Sequence, residues 1–275
     1  MKSLWLTALT DIVESLRARW FMVYTAVFGS VIVLLFVFGL TESRIMGFTG
    51  LSRLLITYIQ LSMAIMPIFV LITTVRSVAG DREAGVFEYL LSLPITLRSW
   101  FWGKMVGRFV VVFMPVFLAM WGAVLWALAK HADIPWTLVF YYTGLLVSLA
   151  WCFLGIGMFI STVARSADVA QGAAFVVWLV LILFLDLILL GVMVQERLPP
   201  ETAVAIALVN PLQVFRTAAM MLFDPQLVLL GPTAYVILDH FGNAGYIAWA
   251  MFYPILIGTL AGGGGYLLFR RSDLP

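Results

Sequence analysis

The sequence predicts an all-α membrane protein, on the evidence of its composition, the length of its apolar runs and the position of its charges. Of its 275 residues, 63% are hydrophobic and 11% are charged, and the mean hydropathy is +1.07. A soluble domain usually carries about 25% charged residues. This chain could not cover its surface with polar groups in water. Its net charge of +2 is too small to indicate a nucleic-acid partner.

The first 19 residues predict an amphipathic helix that lies in the headgroup region of the membrane. Polar residues, among them Asp11 and Glu14, fall on one side of such a helix. The apolar residues recur at helical spacing on the other side: Leu4, Trp5, Ala8, Leu9, Ile12, Val13, Leu16 and Trp20. Interfacial helices combine such a face with tryptophan at the membrane surface. We therefore expect membrane lipids to contact this segment.

Six apolar stretches are long enough to cross a bilayer, which takes roughly 20 residues as a helix. They are 21–40, 54–75, 109–129, 136–163, 169–194 and 244–269. Together they predict a single transmembrane domain over residues 1–275. The connection 195–243 holds two shorter apolar runs, 203–209 and 226–238. Because runs of this length more often dip into a membrane than cross it, we expect short helices covering the outer face.

The distribution of Lys and Arg predicts that both termini are cytoplasmic. With the N-terminus inside, eleven of these residues fall on the inner side and five on the outer side. Cytoplasmic flanks of membrane spans are enriched in both. The chain is therefore expected in the bacterial inner membrane, with segment 80–104 in the cytoplasm and segment 195–243 outside.

The sequence lacks the motifs of an enzyme. Its two histidines, His131 and His240, cannot form an HExxH zinc site. Gly103-Lys104 resembles the end of a phosphate-binding loop, but Arg98 and Met105 stand where that loop needs glycine and Ser or Thr. A single cysteine, Cys152, excludes an intrachain disulfide. We expect a non-catalytic chain that binds no cofactor of its own.

Segment Gly80–Lys104 is the long charged interruption in the first half of the chain. It opens with charged residues, continues with a short helical pattern, and is broken by Pro94. One apolar face is predicted for this helix, formed by Val86, Phe87, Leu90 and Leu91. Glu83 and Glu88 are expected to pair with basic residues of a partner, or with Arg82 and Arg98. Charge reversal at either glutamate should then abolish coupling to that partner.

The same segment resembles the cytoplasmic loop of ABC-2-type transporter permeases. The matching residues are Glu83-Ala84-Gly85, Glu88, Leu90-Leu91, Pro94, Arg98 and Gly103-Lys104. Val86 departs from the threonine that the family usually has. The resemblance implies a coupling helix that docks on a separate ATPase, formed by Glu83, Gly85, Val86, Phe87, Glu88, Leu90, Leu91, Pro94 and Arg98. It also implies two copies of that cytoplasmic ABC ATPase, which binds ATP and Mg²⁺, and a second copy of this chain.

Three short stretches resemble one branch of this family, the membrane subunits that serve nitrous oxide reductase maturation. They are FLDLILL (184–190), VNPLQVFR (209–216) and YLLFRR (266–271). The branch implies a periplasmic β-helical partner and a sulfur or copper-handling cargo, with Asn210, Pro211 and Arg216 facing the outside. An exporter of lipid, drug or peptide is the alternative within the family. A membrane scaffold that recruits periplasmic proteins is the alternative from another class.

Five further residues, at three places in the chain, raise questions that the sequence leaves open. Asp186 lies mid-span, where an ionisable group usually faces the interior or a water-filled path. Asp186, together with Met63 and Met66, could line a translocation path or the dimer seam; Asp186 could instead serve a structural hydrogen bond. Met63 and Met66 share a face of the second predicted span; thioethers bind Cu(I), but methionine is also an ordinary packing residue. Gly258 and Gly262 have the spacing of a close helix crossing.

Overall fold

The computed structural model describes residues 2–39, 50–92, 95–131, 133–184, 205, 207–221 and 232–271, and the secondary structure in these ranges is helical. The helices are α1 (Lys2–Arg17), α2 (Arg19–Gly39), α3 (Gly50–Glu83), α4 (Val86–Ser92), α5 (Leu97–Ala129), α6 (Trp136–Val163), α7 (Ala167–Leu179), α8 (Pro211–Met221) and α9 (Pro232–Arg271). A π-helical turn, Val180–Phe184, continues α7. A break at Gly242, where φ is 61°, divides α9.

Four of the described helices are long and apolar enough to cross a membrane. They are Leu55–Glu83, Leu97–Ala129, Trp136–Val163 and Gly242–Arg271. The shortest has 28 residues, or about 42 Å at 1.5 Å per residue, so each exceeds a hydrocarbon core of about 30 Å. The prediction of an all-α membrane protein is confirmed. Helices α2 and α7 lie where the first and fifth spans were predicted, and the count of six spans stays a prediction.

Two helices extend well beyond the spans predicted for them. Helix α3 continues to Glu83 rather than ending near residue 75, and α5 begins at Leu97 rather than near residue 109. Hydropathy stopped the predicted spans at charged residues. In the structure, several of these charges are paired with other helices, as described below, so the helical backbone continues through them. The charged segment 80–104 is therefore helical over much of its length.

Helices α6 and α9 cross with their backbones in contact. A Cβ atom on Gly155 would lie 1.9 Å from the carbonyl oxygen of Gly258, so only glycine fits at this crossing. The close crossing predicted at Gly258 is confirmed. Nearby, Pro254 cannot donate the usual helical hydrogen bond to the Ala250 carbonyl. Ser148 of α6 lies 3.5 Å from that oxygen and donates to the carbonyl of Met251 at 2.6 Å.

Helix α1 lies directly on α5, over two glycines four residues apart. A Cβ on Gly103 would lie 2.6 Å from the carbonyl oxygen of Leu4, and one on Gly107 would lie 2.6 Å from that of Ala8. The exposed face of α1 carries large apolar side chains, including Trp5, which is 64% exposed. The apolar exposed face agrees with the expected contact with lipid.

The predicted polar face of α1 is wrong at Asp11, which is 4% exposed and faces α5. Its Oδ1 accepts a hydrogen bond from Arg108 at 2.8 Å, and the Arg108 guanidinium lies 5.9 Å from the ring centre of Trp20. Burial raises the pKa of the Asp11 carboxyl above its ordinary value of 3.8, while Arg108 and Lys104 oppose that rise. Helical periodicity marked Asp11 as polar, but its partner is nearly one hundred residues away.

Helix α8 is a short helix inside the bundle, packed among α3, α6 and α9. Eight of its eleven residues are buried. Hydroxyl groups from α6 donate to its last carbonyls: Tyr141 lies 3.4 Å from the oxygen of Ala218, and Tyr142 lies 3.1 Å from that of Ala219. A short helix can lie at membrane depth where protein groups satisfy its backbone. The sequence predicted short helices covering the outer face; α8 is short and largely buried by its neighbours, and its position relative to the membrane stays a prediction.

Candidate functional site

The predicted coupling segment forms a short helix, α4, held between tight turns. Helix α3 ends where the amide of Gly85 donates to the carbonyl of Arg82 at 3.2 Å. Gly85 has a φ of 66°, in the left-handed region that favours glycine. After α4, the hydroxyl of Thr96 caps α5 by accepting from the amide of Ser99 at 3.2 Å. The turns place α4 at the end of the bundle where α3, α6 and α9 end.

An aromatic anchor, formed by Phe87, Trp100 and Phe269, fixes one face of α4 inward. The Phe87 ring is 2% exposed and lies 5.4 Å from Trp100, edge to face, and 5.2 Å from Phe269. Trp100 and Phe269 stack on each other at 5.5 Å. Aromatic pairs in these arrangements stabilise beyond the area they bury. The anchor therefore joins α4 to the start of α5 and the end of α9.

The opposite face of α4 is exposed. Glu88 is exposed and Tyr89 is 67% exposed; Gly85, just before α4, and Arg98, in the first turn of α5, are exposed as well. Tyr89 was missed because one apolar face was predicted from Val86 to Leu91. In a helix, residues two apart do not share a face, so burial of Phe87 turns Tyr89 outward. The spacing of Phe87 and Tyr89 could therefore have predicted the exposure of Tyr89 from the sequence. Val86 is half-buried.

Arg82 and Glu83, at the end of α3, contact the α6–α7 turn (residues 164–166). Arg82 donates to the carbonyls of Thr162 at 3.2 Å and Ala164 at 3.0 Å, at the end of α6. Glu83 Oε1 accepts from the amide of Ala167 at 3.0 Å, at the start of α7. A cation at a helix C-terminus and an anion at an N-terminus both complement the helix dipole.

The intrachain ion pair expected for Glu83 is not found among the residues that the structure describes, and its pairing with a partner stays a prediction. Within the described residues, the ion pairs join Lys104 to Asp81 and Arg108 to Asp11, and Glu83 pairs with neither Arg82 nor Arg98. Its carboxylate instead accepts from a backbone amide of its own chain. Sequence spacing cannot find such a contact, because Ala167 lies 84 positions away.

Lys104 ties α5 to α3 at the same end of the bundle. It is 9% exposed, donates to the carbonyl of Ser77 at 2.9 Å and pairs with Asp81. Its ammonium also lies 5.0 Å from the ring centre of Trp100. The two residues of the Gly-Lys pair thus both serve packing within the chain: Gly103 allows α1 to pack closely on α5, and Lys104 neutralises the charge of Asp81.

The remaining predicted site residues fall in different places. Leu90 and Leu91 belong to α4, but the structure describes only their backbone; Pro94 and Asp186 lie outside the described residues. Met66 is fully buried in the core. Met63 and Arg216 both line a small pocket among α3, α6 and α8. In the described ranges, no group of three or more His, Cys, Asp or Glu residues could hold a metal ion.

Asn210 and Pro211 are interior residues, which corrects their predicted position facing an external partner. Asn210 is 2% exposed and its Oδ1 accepts from the amide of Leu212 at 3.0 Å, which caps α8. Its Nδ2 donates to the carbonyl of Leu181, in the π-helical turn, at 2.8 Å. The Asn-Pro pair starts a buried helix and joins it to α7.

The sequence of nearly the whole chain shows which family it belongs to. A family model described as ABC-2 family transporter protein matches residues 5–274, so this chain belongs to that family and is a transmembrane permease subunit of an ABC transporter. The family implies a cytoplasmic ABC ATPase as partner.

Two relatives in the family carry the same name, "Probable ABC transporter permease protein NosY". The protein of Stutzerimonas stutzeri is 25% identical over 230 residues, which make up 82% of this chain and 83% of the relative. The protein of Pseudomonas aeruginosa is 24% identical over 230 residues, or 82% of this chain and 84% of the relative. The chain is similar to these proteins over most of their length.

Proposed function

We propose that this chain is the permease of an ABC transporter that supports periplasmic copper-site assembly of nitrous oxide reductase. A separate ATPase hydrolyses ATP, with Mg²⁺, and moves the permease through α4. The cargo is a sulfur species or a copper-handling species. Two copies of this chain and two of the ATPase form the transporter, and a periplasmic β-helical protein contacts its outer face. Both termini are cytoplasmic, and six spans cross the inner membrane.

The observation that carries the ATPase-docking part of this proposal is that α4 has one buried face and one exposed face. Phe87 is buried in the aromatic anchor, whereas Glu88 and Tyr89, next to it, are exposed. A seven-residue helix could not hold its shape alone in water. Anchored in this way, it presents a fixed surface of carboxylate, phenol and, from α5, the Arg98 guanidinium. Tyrosine and arginine are among the residues that most often dominate binding energy at interfaces.

The docking role of α4 is tested by Tyr89→Ala and Glu88→Lys in the permease, with binding of its cognate ATPase measured in detergent. We expect Tyr89→Ala to weaken binding about thirtyfold, because truncating a central aromatic residue typically costs about 2 kcal/mol. Glu88→Lys should also weaken binding, because it reverses a charge on the docking surface. Asp133→Lys reverses an exposed charge after α5, away from α4, and should leave binding unchanged. Unchanged binding in both α4 variants would contradict docking at this helix.

The two relatives named NosY support the nitrous oxide reductase branch, in agreement with the three sequence stretches that resemble it. Deletion of the gene in its host should yield nitrous oxide reductase with low copper content and low activity, restored by the wild-type chain. Normal copper content would instead favour an exporter of lipid, drug or peptide. Stable isolation without any ATPase, together with capture of periplasmic proteins, would favour the scaffold.

A further inference from the structure

We infer that Arg82 and Glu83 form a bracket that carries movement of α4 to the α6–α7 turn. Helix α4 and the α6–α7 turn would then move together when an ATPase docks on α4 alone. This inference rests on the proposed function, because it describes how the force received by α4 reaches the spans behind it. Its residues act by positioning, and they need not contact the ATPase.

The contacts of the bracket are specific for the two helix ends it joins. Arg82 donates to two carbonyls at the end of α6, and the adjacent Glu83 accepts from the first amide of α7. Each charge has the sign that its helix end favours. The hydroxyl of Ser166 caps α7 by accepting from the amide of Val169 at 3.2 Å. The turn is thus held at both of its ends by consecutive residues of α3.

The bracket lies next to α4 along the chain. Two residues, Ala84 and Gly85, separate Glu83 from the first residue of α4, so a displacement of α4 reaches the bracket directly. Behind the bracket, α3 is fastened to α6 again: the hydroxyl of Ser161 accepts from the amides of Val78 and Ala79 at 2.9 and 3.0 Å. Movement of this end of α3 must therefore move the end of α6 with it.

The bracket and a direct contact with the ATPase make different predictions for Glu83. As a bracket residue, Glu83 needs an oxygen that accepts from the amide of Ala167. Glu83→Gln keeps that acceptor and removes the charge, whereas Glu83→Ala removes both. If Glu83 instead bound a basic residue of the ATPase through its charge, Gln and Ala would be equally harmful. Glu83→Gln, which keeps the acceptor without the charge, therefore distinguishes a bracket from a direct contact with the ATPase.

Hydrogen exchange of the backbone, measured on the full permease with and without its cognate ATPase, tests the bracket. Without the ATPase, Glu83→Ala should speed exchange of the Ala167 amide about tenfold, which corresponds to about 1.4 kcal/mol and lies within the range for an ordinary hydrogen bond in a protein. Docking should slow exchange in both 86–92 and 164–170 of the wild type. In Glu83→Ala, docking of the ATPase should slow exchange only in 86–92. In Glu83→Gln, docking should slow exchange in both segments, as in the wild type.

Asp168→Asn is the matched control, since it removes an exposed acid from the first turn of α7 without touching the bracket. It should keep protection of both segments. If Glu83→Ala does not fold, Arg82→Gln, which weakens the contacts to α6, takes its place. Protection of 164–170 that persists in these variants, or a Glu83→Gln variant as impaired as Glu83→Ala, would overturn the inference. No protection of 86–92 in the wild type would instead refute docking on α4.

Discussion

At the scale of single residues, two glycines on α5 decide how closely α1 can approach. Gly103 and Gly107 let the backbone of α1 rest on α5, and the same approach buries Asp11 against Arg108. A buried carboxylate without its partner would be costly. The small residues and the ion pair thus depend on each other: without the glycines, Asp11 could not reach Arg108.

Gly107→Ala should destabilise the protein, because the added Cβ would lie 2.6 Å from the carbonyl oxygen of Ala8 and must push α1 away. Overpacking of this kind typically costs about 1–3 kcal/mol. Thermal unfolding in detergent would measure the loss. Gly122→Ala on the same helix is the control, since its Cβ would meet nothing within 4 Å and alanine is the better helix former. Equal stability of the two variants would show that α1 does not rest on Gly107.

At the scale of elements, the position of α4 depends on the ring of Phe87, which is buried and does not face the proposed ATPase partner. Phe87→Ala should free α4 from the aromatic anchor and weaken ATPase binding, although the Phe87 side chain is buried. Large-to-small changes of buried phenylalanine cost about 3–5 kcal/mol, and this cost should fall mainly on the packing of α4. Hydrogen exchange in 86–92 should become faster in this variant. Tyr89→Ala, in contrast, should weaken binding with exchange in the free permease unchanged.

The helices were largely predictable from the sequence, because apolar length and helical spacing are local properties. The ends of α3 and α5 were not, since Asp81 and Lys104 looked like the start of a solvated loop and instead pair with each other. The motif around Gly85 located the candidate site, and the exposed Tyr89 could have been found from its spacing to Phe87. The contact of Glu83 with Ala167 could not, because it depends on how α3 and α7 pack.

At the scale of the whole molecule, orientation in the membrane is open to a direct test. We expect a cysteine at Asp133 to react with a membrane-impermeant maleimide on intact cells, and a cysteine at Arg165 to react only after permeabilisation. Both native residues are exposed, and the native Cys152 is buried, so the background should be low. The physical reason is the excess of Lys and Arg on the predicted inner side. The reverse labelling pattern would invert the topology.

The crossing of α6 and α9 has a mechanical consequence. Gly258 lies eleven residues from Phe269, in the aromatic anchor, and twelve from Tyr246, whose hydroxyl lies 3.5 Å from the Val214 carbonyl of α8. At 1.5 Å per residue these two arms of α9 measure about 17 and 18 Å. Close packing of α6 on α9 continues on both sides of Gly258, at Gly144 with Met251 and at Gly265 with the Phe159 backbone. The two helices therefore form one stiff pair that links the aromatic anchor to α8.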